Sequence, residues 1–249
     1  MIQLRRHNSR DYAALPDIDL TTAGHLAEDD HACLAEIGSC LIKDHANKRF
    51  GATLLHSHFP VRDGEVLVEE AHADQQLITL RPISGKRPSL VANSVCFDGA
   101  GGPLALVGLE FTSEETLAGI RPLGRQDRDV LTGLYEILQR HDKSGRFGLR
   151  LLHDPLGLGG RVLLETCEPA NRVLTCRTTT EDDPNFAEAI PTLFQWEASL
   201  AHGDSTISQG CMQFCKSVRK CAVSRSGHQS SSSHDSSHAR SAAQGRQEL

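Results

Sequence analysis

The sequence predicts an α+β protein built from two helix-plus-antiparallel-sheet units related by an approximate twofold axis, and three observations carry that prediction. Leu34 to His56 aligns with Leu131 to His153 at a constant offset of 97 residues, with eight identities in 23 positions. After a one-residue slip, Val66 to Arg81 aligns with Val162 to Arg177 at an offset of 96, with five identities in 16. Composition alone would give roughly two or three matches over both stretches. Each copy also reads as one amphipathic helix followed by short apolar runs separated by turn residues.

Residues 1–28 are polar and irregular, with at most one short strand. Repeat 1 spans 29–125. It opens on Asp29 to His45, where Leu34, Ile37 and Leu41 stand at helical spacing. Asp44-His45 here, and His141-Asp142 in the second copy, stand at the helix ends, where charge near a terminus is favourable. Arg49-Phe50-Gly51 follows, the glycine being suited to turning the chain sharply into a strand that ends in Leu-Leu-His. A turn through Pro60 and Asp63-Gly64 precedes two apolar runs, and Val91 to Phe97 and Leu104 to Phe111 read as further strands. Repeat 2 spans 126–200, with its helix over Asp127 to Asp142 and a weaker final strand at Thr192 to Ala198. A Cys- and His-containing segment occupies 201–228, and the Ser-rich residues 229–249 have the composition of a disordered tail.

Composition narrows the function classes. The net charge is −6, and Lys and Arg are scattered among acidic residues without a basic stripe. Aromatic residues make up 4%. Neither nucleic acid nor an anionic membrane surface is therefore an expected partner. No stretch approaches 18 uninterrupted apolar residues, and the N-terminus lacks an apolar core behind its basic pair, so a soluble, cytoplasmic protein is expected. Cys33, Cys40, Cys96, Cys167 and Cys176 fall within predicted elements and read as small buried hydrophobes of a reducing compartment. The chain has no P-loop, dinucleotide fingerprint, HExxH or GxSxG motif.

Five polar residues persist in both copies: Arg49/Arg146, His56/His153, Glu69/Glu165, Thr79/Thr175 and Arg81/Arg177. A histidine oriented by a carboxylate is the equipment of general acid–base chemistry. This makes His56, Glu69, His153 and Glu165 the catalytic candidates, with Arg49, Arg81, Arg146 and Arg177 as clamps for an anionic substrate. The competing reading is a structural network of Arg–Glu pairs and strand-end histidines. A second signal is His56-Ser57-His58, two imidazoles pointing the same way from an extended segment, within reach of one metal ion. Gly51-x4-His56-x-His58 resembles the opening of the cupin metal motif. That resemblance implies a metal site, with Glu65 or Glu69 in the place of its carboxylate; the longer gap to the Glu departs from it, it does not account for the helix at the head of each repeat, and Pro155 replaces His58 in the second copy. A third signal is Cys211-x3-Cys215-x5-Cys221 with His228 beyond, donors that could close a tetrahedral site. The implied cofactor is zinc or another divalent metal.

The element order, a helix followed by antiparallel strands and given twice, resembles a double hotdog arrangement, whose members handle acyl thioesters; no catalytic position of that family maps onto this chain. Two functions fit these residues. One is an enzyme of small-molecule metabolism, metal-dependent or acid–base, acting on a small polar or anionic substrate. The other is a non-catalytic ligand-binding or scaffold protein. A small molecule is the expected ligand in either case, and the chain is expected as a monomer or a homodimer.

Overall fold

The computed structural model describes residues 1–18, 26–85, 89–117, 119–180, 182–186, 189–201 and 204–216. Cys221, His228 and the Ser-rich tail lie outside the described residues. The elements in chain order are β1 (Gln3–Arg6), α1 (Ser9–Ala13), α2 (Glu28–Lys43), β2 (Phe50–Leu54), β3 (Glu65–His72), β4 (Leu77–Ser84), β5 (Leu90–Phe97) and β6 (Ala105–Ser113). Then follow α3 (Arg128–Arg140), β7 (Phe147–Leu151), β8 (Val162–Glu168), β9 (Val173–Thr179), β10 (Ala189–Ala201) and β11 (Asp204–Lys216).

The strands do not form the open antiparallel layer that the duplication predicts. They run β6-β3-β4-β9-β8-β11-β10-β2-β7-β5, and β5 pairs back onto β6, so ten strands close into a barrel with β1 added outside the ring. The α+β assignment is thereby corrected to a β-barrel carrying three short helices. The physical reason is that closure is made between the repeats. The pairings β2–β10, β5–β7 and β4–β9 join residues far apart in sequence. Local periodicity carries no signal for such partners. Two further pairings, β3–β6 and β8–β11, are parallel, whereas short turns between consecutive strands suggest antiparallel pairing throughout.

The twofold relation itself is visible in the register. Ala52 pairs with its own equivalent Leu149, and Thr79 with its equivalent Thr175, so the axis passes through the barrel wall at both places. Each repeat supplies four adjacent strands and sends its first strand away: β2 lies beside β10 of repeat 2, and β7 beside β5 of repeat 1. β11, the last strand of the second unit, lies beyond residue 200.

Helices α2 and α3 pack on the outside of β2 and β7. Leu34, Ile37, Leu41, Leu131, Leu134 and Leu138 share one core with Phe50, Ala52, Leu54, Phe147, Leu149 and Leu151. Strand alternation turns Thr53 and Arg150 the other way, into the barrel. Gly38 lets the Trp196 indole lie against α2, since a Cβ there would meet the ring at 2.4 Å. Helices α2 and α3 end in the same way, with a left-handed residue, His45 or Asp142, after the last turn. The following amides return to the helix carbonyls, Ala46 N–H to Leu41 O and Lys143 N–H to Leu138 O at 2.8 Å each.

The arginines of the shared Arg-Phe-Gly tie each helix start to the opposite repeat. Arg49 binds Asp127 through Nε (2.8 Å) and Nη2 (2.9 Å), and Arg146 binds Asp30 in the equivalent way at 2.9 Å. Asp30 and Asp127 also accept the first backbone N–H groups of their helices, from Ala27 at 3.0 Å and Gly124 at 2.9 Å. The glycines of the motif are not turn residues. Gly51 and Gly148 sit within β2 and β7, and a Cβ on either would lie 2.6 Å from a carbonyl oxygen of the neighbouring strand, Phe194 or Val95. Gly148→Ala is accordingly expected to lower the unfolding free energy by about 1–3 kcal/mol. A chemical denaturation curve with an unmoved midpoint would refute this close strand approach.

Candidate metal centre

Side chains from both repeats meet inside the barrel, and they do so twice. In the first cluster Glu165 of β8 faces His56 and His58, which follow β2. Oε2 of Glu165 lies 3.4 Å from His56 Nε2 and 3.3 Å from His58 Nε2. Oε1 instead accepts from Thr192 Oγ1 at 3.2 Å and from Gln213 Nε2. The carboxylate is thus held by one oxygen while the other faces the imidazoles. Cys215 of β11 pairs with Glu165 in the register and places its thiol on the same inner face. One donor atom from each of His56, His58, Glu165 and Cys215 lies within 4.8 Å of all the others.

The ring of His56 is oriented through its other nitrogen, Nδ1, which donates to Leu54 O at 2.7 Å. That bond turns Nε2 toward the cluster, the arrangement by which a ligating histidine is commonly fixed. Burial, reinforced by the neighbouring His56, pushes His58 down to about 3, so its ring stays neutral. Burial works against ionisation of Glu165, but hydrogen bonding from His56 and Gln213 and the charge on the His56 ring outweigh it and hold the carboxyl at about 2. For His56 burial is likewise outweighed, here by Glu165, and its basicity rises. Burial pushes the Cys215 thiol well above its ordinary range. A neutral imidazole, an ionised carboxylate and a thiol that a cation would deprotonate are donors suited to a divalent metal.

The second cluster is the pseudosymmetric counterpart, and its chemistry is different. Glu69 of β3 accepts from His153 Nε2 at 2.5 Å, from Asn93 Nδ2 at 3.0 Å and from Arg150 Nη2. The same guanidinium donates through Nη1 to Glu110. Burial opposes the Glu69 charge, but Arg150, then His153 and Asn93, outweigh it and hold the carboxyl at about 2. Glu110 is raised by burial despite Arg150. A cavity of about 20 Å³ adjoins Arg150, His153 and Gln213. That is room for one water molecule and not for an organic substrate.

The catalytic candidates therefore meet across the repeats, His56 with Glu165 and His153 with Glu69, and not within one repeat. Of the anion-clamp candidates, Arg49 and Arg146 are engaged by the helix-start aspartates described above. Arg81 and Arg177 are exposed and alternate to the outside of β4 and β9, away from both carboxylates. Of the metal candidates, Cys215 joins His56 and His58. Cys211 sits across a register shift on β11, with its thiol on Gln213 O at 3.0 Å. Glu65, an alternative carboxylate by the cupin resemblance, is bound by Arg172 at 2.7 Å and 2.8 Å. Sequence reasoning passed over Arg150, Glu110, Asn93, Thr192 and Gln213. One signal was available: Arg150 is the single charge within the otherwise apolar strand Phe147–Leu151.

A scan against protein-family models, a search of curated proteins and a search of solved structures each give no match for this chain. Among the described residues no helix is long and apolar enough to cross a membrane.

Glu69→Gln is expected to cost about 3–5 kcal/mol, because it leaves the Arg150 charge buried with one partner fewer. The depressed carboxyl also sets an acid limb. Its stabilisation is fully present above the ordinary value of 4.5 and is lost as pH falls from there toward about 2. Thermal unfolding between pH 5 and about 2 checks this, and a Glu69→Gln variant with an equally steep acid limb would refute the assignment.

Proposed function

We propose that this chain is a metal-binding protein whose centre is formed by His56, His58, Glu165 and Cys215, with zinc as the ion this donor set suits best. The observation that carries the reading is the gathering of four donors within 4.8 Å of one another, three of them buried and His56 half-buried, about a carboxylate whose ion pairs among the described residues are with the two imidazoles. A buried carboxylate whose only ionic partners are imidazoles gains from a divalent cation placed among them. Two imidazoles, a carboxylate and a thiolate fill a tetrahedral shell and leave no position for substrate, which favours a closed, structural centre over a catalytic one. The ligands come from the β2 extension, β8 and β11, so a bound ion would pin repeat 1 to repeat 2.

A second reading, the metal-dependent enzyme of small-molecule metabolism, is favoured by one observation. The Cys215 thiol is already engaged by Lys216 O at 3.4 Å. Without it, His56, His58 and Glu165 would make a three-ligand site with an open position, the usual arrangement of hydrolytic zinc.

Metal analysis by inductively coupled plasma mass spectrometry after loading with Zn(II) and exhaustive dialysis tests the proposal. Wild-type protein is expected to hold close to one equivalent, and His58→Ala and Glu165→Gln to lose it. Absence of retained metal in the folded wild type would overturn it. Substitution with Co(II) separates the two readings: a thiolate-to-cobalt charge-transfer band that Cys215→Ser abolishes belongs to the closed centre. A cobalt spectrum without that band, unchanged by Cys215→Ser, belongs to the open one.

A further inference from the structure

Superposing the two clusters by register rather than by sequence identity assigns a counterpart to every member of the centre. Leu67 and Leu163 are equivalent and pair with Glu110 and Gln213, so Glu110 corresponds to Gln213 and Thr112 to Cys215. Asn93 stands in the register shift of β5 between Ala92 and Ser94, and Thr192 stands in the same shift of β10 between Pro191 and Leu193. The offset of the first aligned block makes Pro155 the counterpart of His58, and Arg150 the counterpart of Thr53.

Three of the substitutions run in one chemical direction. The first half has an imidazole, a thiol and a neutral amide where the second has a proline, a hydroxyl and another carboxylate. The second half alone has a guanidinium, aimed at both Glu69 and Glu110. Two donors for a soft divalent ion have been exchanged for a fixed organic cation. We infer that Arg150 stands in the second half where a metal ion stands in the first, and that the residue at this position, Thr53 or Arg150, decides whether each buried glutamate takes a metal. The chain should then bind one ion where its symmetry would allow two. The inference rests on the proposed metal centre, and it adds the residue that sets stoichiometry.

Two reciprocal variants test it with Zn(II) counted by mass spectrometry on folded, dialysed protein. Thr53→Arg brings a guanidinium to Glu165 and is expected to reduce bound zinc from one equivalent to none, with far-ultraviolet circular dichroism unchanged. The triple variant Arg150→Thr, Thr112→Cys, Pro155→His is expected to raise it from one to two, and to unfold at a higher temperature with zinc than without. Should Thr53→Arg fail to fold, the triple variant decides; one retained equivalent there overturns the inference. A folded Thr53→Arg that still holds one equivalent also overturns it, while leaving the metal centre standing. A wild-type chain that holds none overturns both.

Discussion

A carboxylate enclosed by a β-barrel must find a positive partner or be neutralised, and this barrel encloses one at the same place in each half. Glu69 and Glu165 lie on the inner face at equivalent positions, each within 1% of full burial. An unpaired charge at such depth would consume a large part of the 5–15 kcal/mol by which a typical domain is stable. The rest of the interior is arranged around that constraint. His56 and His153 reach across from the opposite repeat, and the hydrogen-bonding side chains at the register shifts of β5 and β10 hold one carboxylate oxygen in place. The two halves diverge only in how the remaining charge is met.

The crossing of the repeats follows from the same geometry. A histidine that ends β2 can meet a glutamate on β8 only if β2 is placed beside β10, within the other repeat's set of strands. The pairs Arg49–Asp127 and Arg146–Asp30 fasten the helices in the same crossed sense. Packing of both helices over β2 and β7 buries the apolar faces that the sequence periodicity marks, so core, ion pairs and inner clusters all specify one arrangement.

How much of this was legible depended on the range of the interaction. The helices were legible because Leu34, Ile37 and Leu41, like Leu131, Leu134 and Leu138, repeat at helical spacing, a property of a dozen neighbouring residues. The short strands and the histidine and glutamate pairs were legible through the duplication. Closure of the barrel was not, since it is decided by pairings such as Ser94 with Arg150, between residues that share no local pattern. For the same reason no local pattern pairs His56 with Glu165 or His153 with Glu69. Cys215 and the pair His56-x-His58 stood out separately, and nothing in their spacing announced that β11 would bring them together. The equivalence of β6 with β11 has a single identity behind it in the shared stretch, Phe111 with Phe214, and appears only in the common register with β3 and β8.

The swapped first strand has a consequence for how the chain holds itself together. Taken alone, repeat 1 would be a four-stranded sheet, β4-β3-β6-β5, with both edges bare and β2 detached from it. Such a half has no closed form except in company with another half. The residues joining β6 to α3 therefore act as a tether: they turn the meeting of two half-barrels, otherwise a matter of concentration and diffusion, into an intramolecular event at an effective concentration on the order of millimolar. Seen this way, the protein is a dimer written into one polypeptide, free to let its two halves become chemically unequal because neither can be exchanged for a copy of the other.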